Sequence, residues 1–228
     1  MPVGVEDHFV EASDTILTSH VPDTIGTGWT QEFNNTTATV RMQVFAATDI
    51  ISPTADSNNT GFAYSAQPDP TGVDYDVEIK VAAITTGAAA FSWLFARWTD
   101  SSNFYYYAFA GPATTTNSLR IIKRVTGTNT TLVQGNNTLA SGDVITGKTL
   151  DASKKLFLNG TEKLSTTDNA LTSAGRAGIG QGVPLAAIGA LFGRPLPGGL
   201  ASGALQLAGP AEAPSGPVAL TLAGVPLG

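Results

Sequence analysis

The chain contains no cysteine, so neither disulfides nor thiolate metal sites can support it, and cysteine usage says nothing about its redox compartment. Charge is sparse too. Charged residues make up 13% of the 228 positions, and 12 Lys and Arg face 18 Asp and Glu. A net charge of −6 without any Lys/Arg cluster excludes a nucleic-acid backbone as partner, because phosphate binding needs grouped cations. Imidazole is nearly missing: only His8 and His20 occur, outside any triad pattern, and both read as surface or packing residues. No run reaches the roughly 18 uninterrupted apolar residues of a membrane span. The first ten residues, MPVGVEDHFV, lack the basic and apolar regions of a secretory leader, so synthesis in the cytoplasm is the expectation. Helical periodicity is also absent, since no apolar stripe at 3.6-residue spacing persists for three turns before residue 182.

What the chain does contain is alternation with period two. Residues 39–45 (TVRMQVF) put Val40, Met42 and Val44 on one face, and residues 73–84 set Val77, Ile79 and Val81 against Asp76, Glu78 and Lys80. The densest apolar block is 91–109, which reads FSWLFARW, TDSSN, FYYYAF. Two aromatic runs around a short polar turn predict a hairpin buried at the middle of a sheet. Further strands are expected at 61–66, 119–125, 130–133, 143–150 and 176–180. Residues 155–165 predict a second hairpin, in which Asn159 and Gly160 supply the positive φ angles of a type I′ turn. Residues 1–30 read as an edge strand with a long lead-in, 48–60 as a loop, and 167–175 as a turn or a single helical turn. Six Asn-x-Thr matches, at Asn34, Asn35, Asn58, Asn129, Asn136 and Asn159, read as turn chemistry in a chain without a leader. Short strands separated by Gly and Asn turns predict an all-β protein, an antiparallel jelly-roll sandwich of two stacked sheets.

At residue 183 the composition changes. Residues 183–228 carry only two charges, Arg194 and Glu212, and are rich in Leu, Ala, Val, Gly and Pro, unlike a solvated linker. The organisation expected is a jelly-roll domain over 1–182 followed by an apolar assembly arm over 183–228. Within the arm, ALQLAG at 204–209 is echoed by ALTLAG at 219–224. Leu205 with Leu207, or Leu220 with Leu222, would share one face of a strand added to a sheet edge.

The stretch 93–107, with Ala96-Arg97-Trp98, the Asp100-to-Asn103 turn and Tyr105 to Tyr107, resembles the motif of the concanavalin A-like (LamG-like) jelly-roll superfamily. Leu156-Phe157-Leu158-Asn159-Gly160 and 171–178 are similar to that family's closing hairpin and last strand. Asp7-His8-Phe9 followed by Trp29 is similar to its usual opening. The resemblance spans roughly residues 5–182 and implies the sandwich fold. It also implies a choice among lectins, glycanase modules and virion proteins. Family members often bind sugars, sometimes with calcium. Asp100 and Asn103 occupy the turn positions where a cation would sit, but such a turn is more often an Asx-capped loop, so no metal or other cofactor is expected.

No catalytic constellation is expected. Asp74, Asp76 and Glu78 alternate on one strand and superficially resemble the paired acids of jelly-roll glucanases. The following same-face residue is Lys80, and a solvated strand face accounts for the pattern. A small-ligand site is expected from Trp93, Arg97, Tyr105 and Tyr107, with Trp93, Phe95 and Arg97 sharing one face by parity opposite Leu94 and Ala96. Such a platform stacks sugar rings and bonds their hydroxyls or carboxylates. Two functions follow as expectations. The first is a non-catalytic virion structural protein, a phage head decoration or tail-associated subunit, that docks on copies of itself and on other virion proteins through the arm. The alternative is a carbohydrate-binding, lectin-like module that takes surface glycans.

Overall fold

A computed structural model of the chain describes residues 5–7, 9, 11–22, 25–34, 42–45, 50–53, 61–70, 72–81, 91–110, 116–182 and 191–195. Among them are sixteen strands. In chain order these are β1 (Val5–Glu6), β2 (Thr15–Ile16), β3 (Gly28–Asn34), β4 (Met42–Phe45), β5 (Ile50–Pro53), β6 (Gly61–Gln67), β7 (Tyr75–Lys80) and β8 (Phe91–Asp100). They continue with β9 (Asn103–Ala110), β10 (Leu119–Val125), β11 (Thr128–Gly135), β12 (Val144–Leu150), β13 (Ser153–Leu158), β14 (Thr161–Thr167), β15 (Arg176–Gly182) and β16 (Leu191–Pro195). The helical content of these residues is one 3-10 turn, Leu17–Ser19.

Two antiparallel sheets make the sandwich. One has seven strands in the order β11-β10-β9-β8-β15-β6-β3, the other six in the order β1-β16-β7-β12-β13-β14. A small third sheet, β2-β4-β5, stands beside them. Alternation decides which side chains meet between the large sheets: Tyr75, Val77 and Ile79 of β7 join Leu94, Ala96, Tyr107, Phe109, Leu119, Ile121, Ile145, Leu156 and Ile179 in one core. The aromatic block at 91–109 is the central β8–β9 hairpin, because strands buried on both faces need apolar residues at nearly every position.

Turn chemistry behaves as the sequence predicts. Asn159 and Gly160 have φ of 50° and 74°, the type I′ pattern, and connect β13 to β14. Thr126 and Gly127, at φ 48° and 81°, do the same between β10 and β11, which extends the strand expected at 130–133 in both directions.

Three expectations change. Residues 48–60 are not wholly a loop: Ile50–Pro53 pairs with β4, with Ile50 opposite Phe45, and its Pro53 is tolerated because β5 is an edge. Residues 168–175 hold no helical turn. Finally, Leu191–Pro195, inside the segment expected to be an arm, inserts into this chain's own six-stranded sheet between β7 and β1. Leu205, Leu207, Leu220 and Leu222 lie outside the described residues.

Candidate functional site

The hairpin β8–β9 has two unlike sides, and a single residue separates them. Along β8, Leu94 and Ala96 enter the core while Trp93 and Phe95 face outward from the seven-stranded sheet. At Arg97 the backbone goes left-handed, φ 52°, and pairing with β9 is irregular between Ala96 and Asp100. This bulge takes one residue out of the alternation, so Arg97 turns inward and Trp98 joins Phe95 on the outer face. Parity alone had put Arg97 beside Trp93, and the bulge is why that is corrected.

Arg97 is 1% exposed and serves as a clamp. Its Nε donates to Val73 O at 3.0 Å, Nη1 to Leu171 O at 2.6 Å and Nη2 to Asp74 Oδ1 at 3.3 Å, while its backbone N–H donates to the Tyr75 hydroxyl. Two loops are thereby tied to the sheet. Tyr105 and Tyr107 also point inward and are fully buried. The Tyr105 hydroxyl donates to Asp168 Oδ1 at 2.6 Å, and the Tyr107 hydroxyl meets Lys148 O and Thr149 Oγ1, both at 2.7 Å. Lys154 lies under the Tyr105 ring, its Nζ 4.8 Å from the centroid and bonded to Asp151 O at 2.6 Å. Burial, with the Arg97 charge nearby, pushes its ammonium down to about 8. Of the four residues expected at a glycan site, then, Trp93 alone faces outward.

The outer face carries its own set, of which parity predicts Trp93 and Phe95. Cross-strand register sets three rows on β15, β8, β9, β10 and β11: Gly180, Trp93, Ala108, Arg120, Gln134; then Gly178, Phe95, Tyr106, Ile122, Thr131; then Arg176, Trp98, Phe104, Arg124, Asn129. Trp98 and Phe104 stack with centroids 4.1 Å apart, and Trp93 and Tyr106 lean together at 5.8 Å. Phe95, Trp98 and Phe104 are buried beneath; Trp93 and Tyr106 are half-buried and form the accessible surface. Trp93 is seated by a missing side chain. A Cβ on Gly180 would lie 1.6 Å from Trp93 Nε1, so only glycine lets the indole lie on β15. That Nε1 is sealed from solvent and has no hydrogen-bond partner among the described residues.

Polar groups rim the aromatic rows. Arg176 donates to Glu32 Oε1 at 2.5 Å and Thr99 O at 3.2 Å, and Ser65 Oγ donates to the same Glu32 oxygen at 2.6 Å. Arg124 donates to Ser101 O at 2.9 Å and Asn129 Oδ1 at 3.0 Å. Beyond Arg176 an open cleft of about 420 Å³ is lined by Thr18, Thr27, Thr30, Gln67 and Asp69.

In the wall of that cleft, His20 is a buried ion-pairing residue instead of a surface or simple packing one. Its Nε2 lies 2.8 Å from Asp7 Oδ1 and its Nδ1 2.7 Å from Glu11 Oε1, an arrangement in which an imidazolium donates at both nitrogens. Burial lowers the imidazole pKa, but the two carboxylates outweigh it and the result is raised. Asp7 also accepts from Trp29 Nε1 at 2.7 Å and from Phe9 N at 2.9 Å. The Asp7, Phe9 and Trp29 motif was legible in the sequence; the histidine that joins it was not, because its spacing follows no pattern.

The acids of β7 face away from the core on the opposite sheet. Asp76 is 2% exposed, with Lys148 Nζ 2.5 Å from its Oδ2, and Glu78 Oε2 accepts from Thr146 Oγ1 at 2.7 Å. The expected solvated face is therefore corrected at Asp76, which is buried on the six-stranded sheet. Asp100 Oδ1 accepts from Ser102 N at 2.7 Å and Asn103 Nδ2 at 3.0 Å, an Asx turn whose bonds from Asn103 and Ser102 hold the carboxyl below its usual range. Among the described residues no group of three or more His, Asp or Glu is placed to hold a metal.

A scan against protein-family models finds no match, and a search of curated proteins finds no relative. Solved structures do match. The carbohydrate binding module CBM66 from Bacillus subtilis superposes with a TM-score of 0.51 at 12% identity, covering 79% of this chain and 96% of that one. The VIP36 exoplasmic/lumenal domain in its Ca2+/Man2-bound form gives 0.53 at 9% identity, over 83% and 90%. A prokaryotic β-1,3-1,4-glucanase (lichenase) from a mouse hindgut metagenome gives 0.52 at 10%, over 80% and 98%. At such identities the likeness is one of fold: a concanavalin A-like jelly-roll sandwich.

Proposed function

We propose that this chain is a non-catalytic, lectin-like carbohydrate-binding module that takes a saccharide on the outer face of its seven-stranded sheet. The observation that carries the reading is the seated pair Trp93 and Tyr106, rimmed by polar side chains. Sugar rings present apolar C–H faces that stack on aromatic rings while their hydroxyls bond polar neighbours. The fold is compatible with binding and with hydrolysis alike, since CBM66, VIP36 and a lichenase share it. What favours binding is the separation of parts. The paired acids Asp76 and Glu78 stand on the six-stranded sheet, Asp76 engaged by Lys148, while the aromatic rows stand on the other sheet.

The test is a glycan array with calorimetry on the strongest hit. Trp93→Ala is expected to reduce affinity at least about tenfold, the scale of a lost stacking contact, with an unchanged far-ultraviolet spectrum. Binding undiminished by Trp93→Ala and Tyr106→Ala together would overturn the site.

A second reading, a virion subunit made in the cytoplasm that docks on copies of itself and other virion proteins through its C-terminal segment, is favoured by the nearly uncharged composition of 183–228. Because Leu191–Pro195 belongs to the chain's own sheet, its test is truncation after Pro195 instead of after Gly182. The truncated chain is expected to fold and to lose assembly. Full-length protein that remains monomeric at all concentrations would count against the reading.

A further inference from the structure

The two ends of the aromatic rows differ in charge. At the β15 end, the guanidinium of Arg176 is paired with the Glu32 carboxylate at 2.5 Å and is electrostatically spent. At the β10 end, Arg120 and Arg124 lie two positions to either side of Ile122, whose cross-strand neighbour is Tyr106. Both arginine charges act on the Tyr106 phenol, partly offsetting the upward push of burial. The third cation of this strand, Lys123, turns to the other side and pairs with Asp168 at 2.5 Å. Arg124 is held by a backbone carbonyl and an amide oxygen, Ser101 O and Asn129 Oδ1. No carboxylate reaches it among the described residues. A guanidinium fixed by neutral acceptors keeps its full charge and arrives already oriented. This in a chain of net charge −6 is a local positive field beside a stacking surface.

Resting on the carbohydrate-binding reading, we infer that the saccharide is anionic, a glycan bearing sugar carboxylates, with a ring on Trp93 and Tyr106 and a carboxylate on Arg124 at the Arg120 side. Charge density decides between acidic glycans. A heavily sulfated chain, like a nucleic acid, is bound by many grouped cations, whereas β10 brings two, Arg120 and Arg124, to this face. A uronate carries one carboxylate per ring and leaves the apolar C–H face free to stack, which matches one uncompensated guanidinium beside one aromatic pair. Asn129, Thr131 and Gln134 on β11 continue the surface with groups suited to hydroxyls.

The experiment uses the full chain and an array of neutral, uronate and sulfated saccharides, followed by calorimetry on oligogalacturonate, oligoglucuronate and oligomannuronate, each paired with its methyl ester. Esterification keeps the sugar and removes the charge. At least one acid is expected to bind about tenfold or more tighter than its ester, the scale of a charged hydrogen bond, and to weaken with added salt. Arg124→Gln should erase the acid–ester difference, Arg124→Lys should keep part of it, and Trp93→Ala should weaken acid and ester alike by about tenfold or more. Acids and esters binding equally, or hits confined to neutral or sulfated saccharides, would overturn the inference of a carboxylate-bearing glycan and leave the carbohydrate-binding reading standing. Failure to bind any saccharide would remove both.

Discussion

Neighbouring tyrosines on one strand face opposite ways. Tyr107 points into the sandwich, where burial drives its hydroxyl pKa far above the ordinary value and Lys148 O and Thr149 Oγ1 satisfy it. Tyr106 points out, half-buried, leaning on Trp93. The same contrast separates Arg97, spent on loop carbonyls inside, from Arg124, held by neutral oxygens on the rim. The lesson is that residue type does not distinguish core-facing from outward-facing side chains here. The side of the sheet does, and side is set by alternation plus one bulge.

The largest expected effect falls inside. Arg97→Met strands the carbonyls of Val73 and Leu171 and leaves Asp74 without its guanidinium, so urea unfolding should show a loss of about 3 kcal/mol or more. A loss below about 1 kcal/mol would mean the clamp is dispensable. Tyr107→Phe comes next, at about 1 to 3 kcal/mol for two buried bonds, with saccharide binding unchanged.

His20 gives a smaller, pH-dependent effect. Its folded pKa is raised, so the stability it contributes is fully present below the unfolded value of about 6.5 and fades as pH rises through the folded pKa. Melting temperature should fall over that window in the native protein and change less in His20→Gln. An identical pH slope in both proteins would show that the Asp7–His20–Glu11 contact is not the source. Smallest in stability is Tyr106→Phe, expected within about 0.5 kcal/mol of the native protein. Its readout is binding: a phenyl ring retains stacking, so affinity should change by severalfold at most, whereas Tyr106→Ala should lose more. The comparison fails if Tyr106→Phe destabilises as much as Tyr107→Phe.

Most of the fold was legible. Alternation at residues 75–80 and 119–125, the aromatic hairpin and the Asn159–Gly160 turn are local signals, and each corresponds to a strand or turn. The strand Ile50–Pro53 was not, because four residues with a proline beside polar neighbours carry too little periodicity. Of the candidate site, Trp93 was legible and its companions were not. Parity counting ran correctly from Trp93 to Ala96 and failed at Arg97 and Trp98, where the left-handed residue interrupts the alternation. Trp98 was passed over for that reason. Tyr106 and Phe104 were passed over because the sequence reading selects Tyr105 and Tyr107 from β9, and it is the cross-strand register, Phe95 opposite Tyr106, that puts the even positions of β9 on the outer face.

The sequence by itself determined an antiparallel β protein without thiol chemistry or clustered charge, since composition and period are properties of the chain alone. Only the tertiary structure decided which aromatic residues reach the outer face, which arginines pair with carboxylates, and that His20 lies between two carboxylates. Those outcomes depend on contacts between distant segments: Arg97 with Val73 and Leu171, Gly180 under Trp93, and His20 with Asp7. No local pattern encodes them, because the energy of burial and pairing is realised only when the strands have stacked.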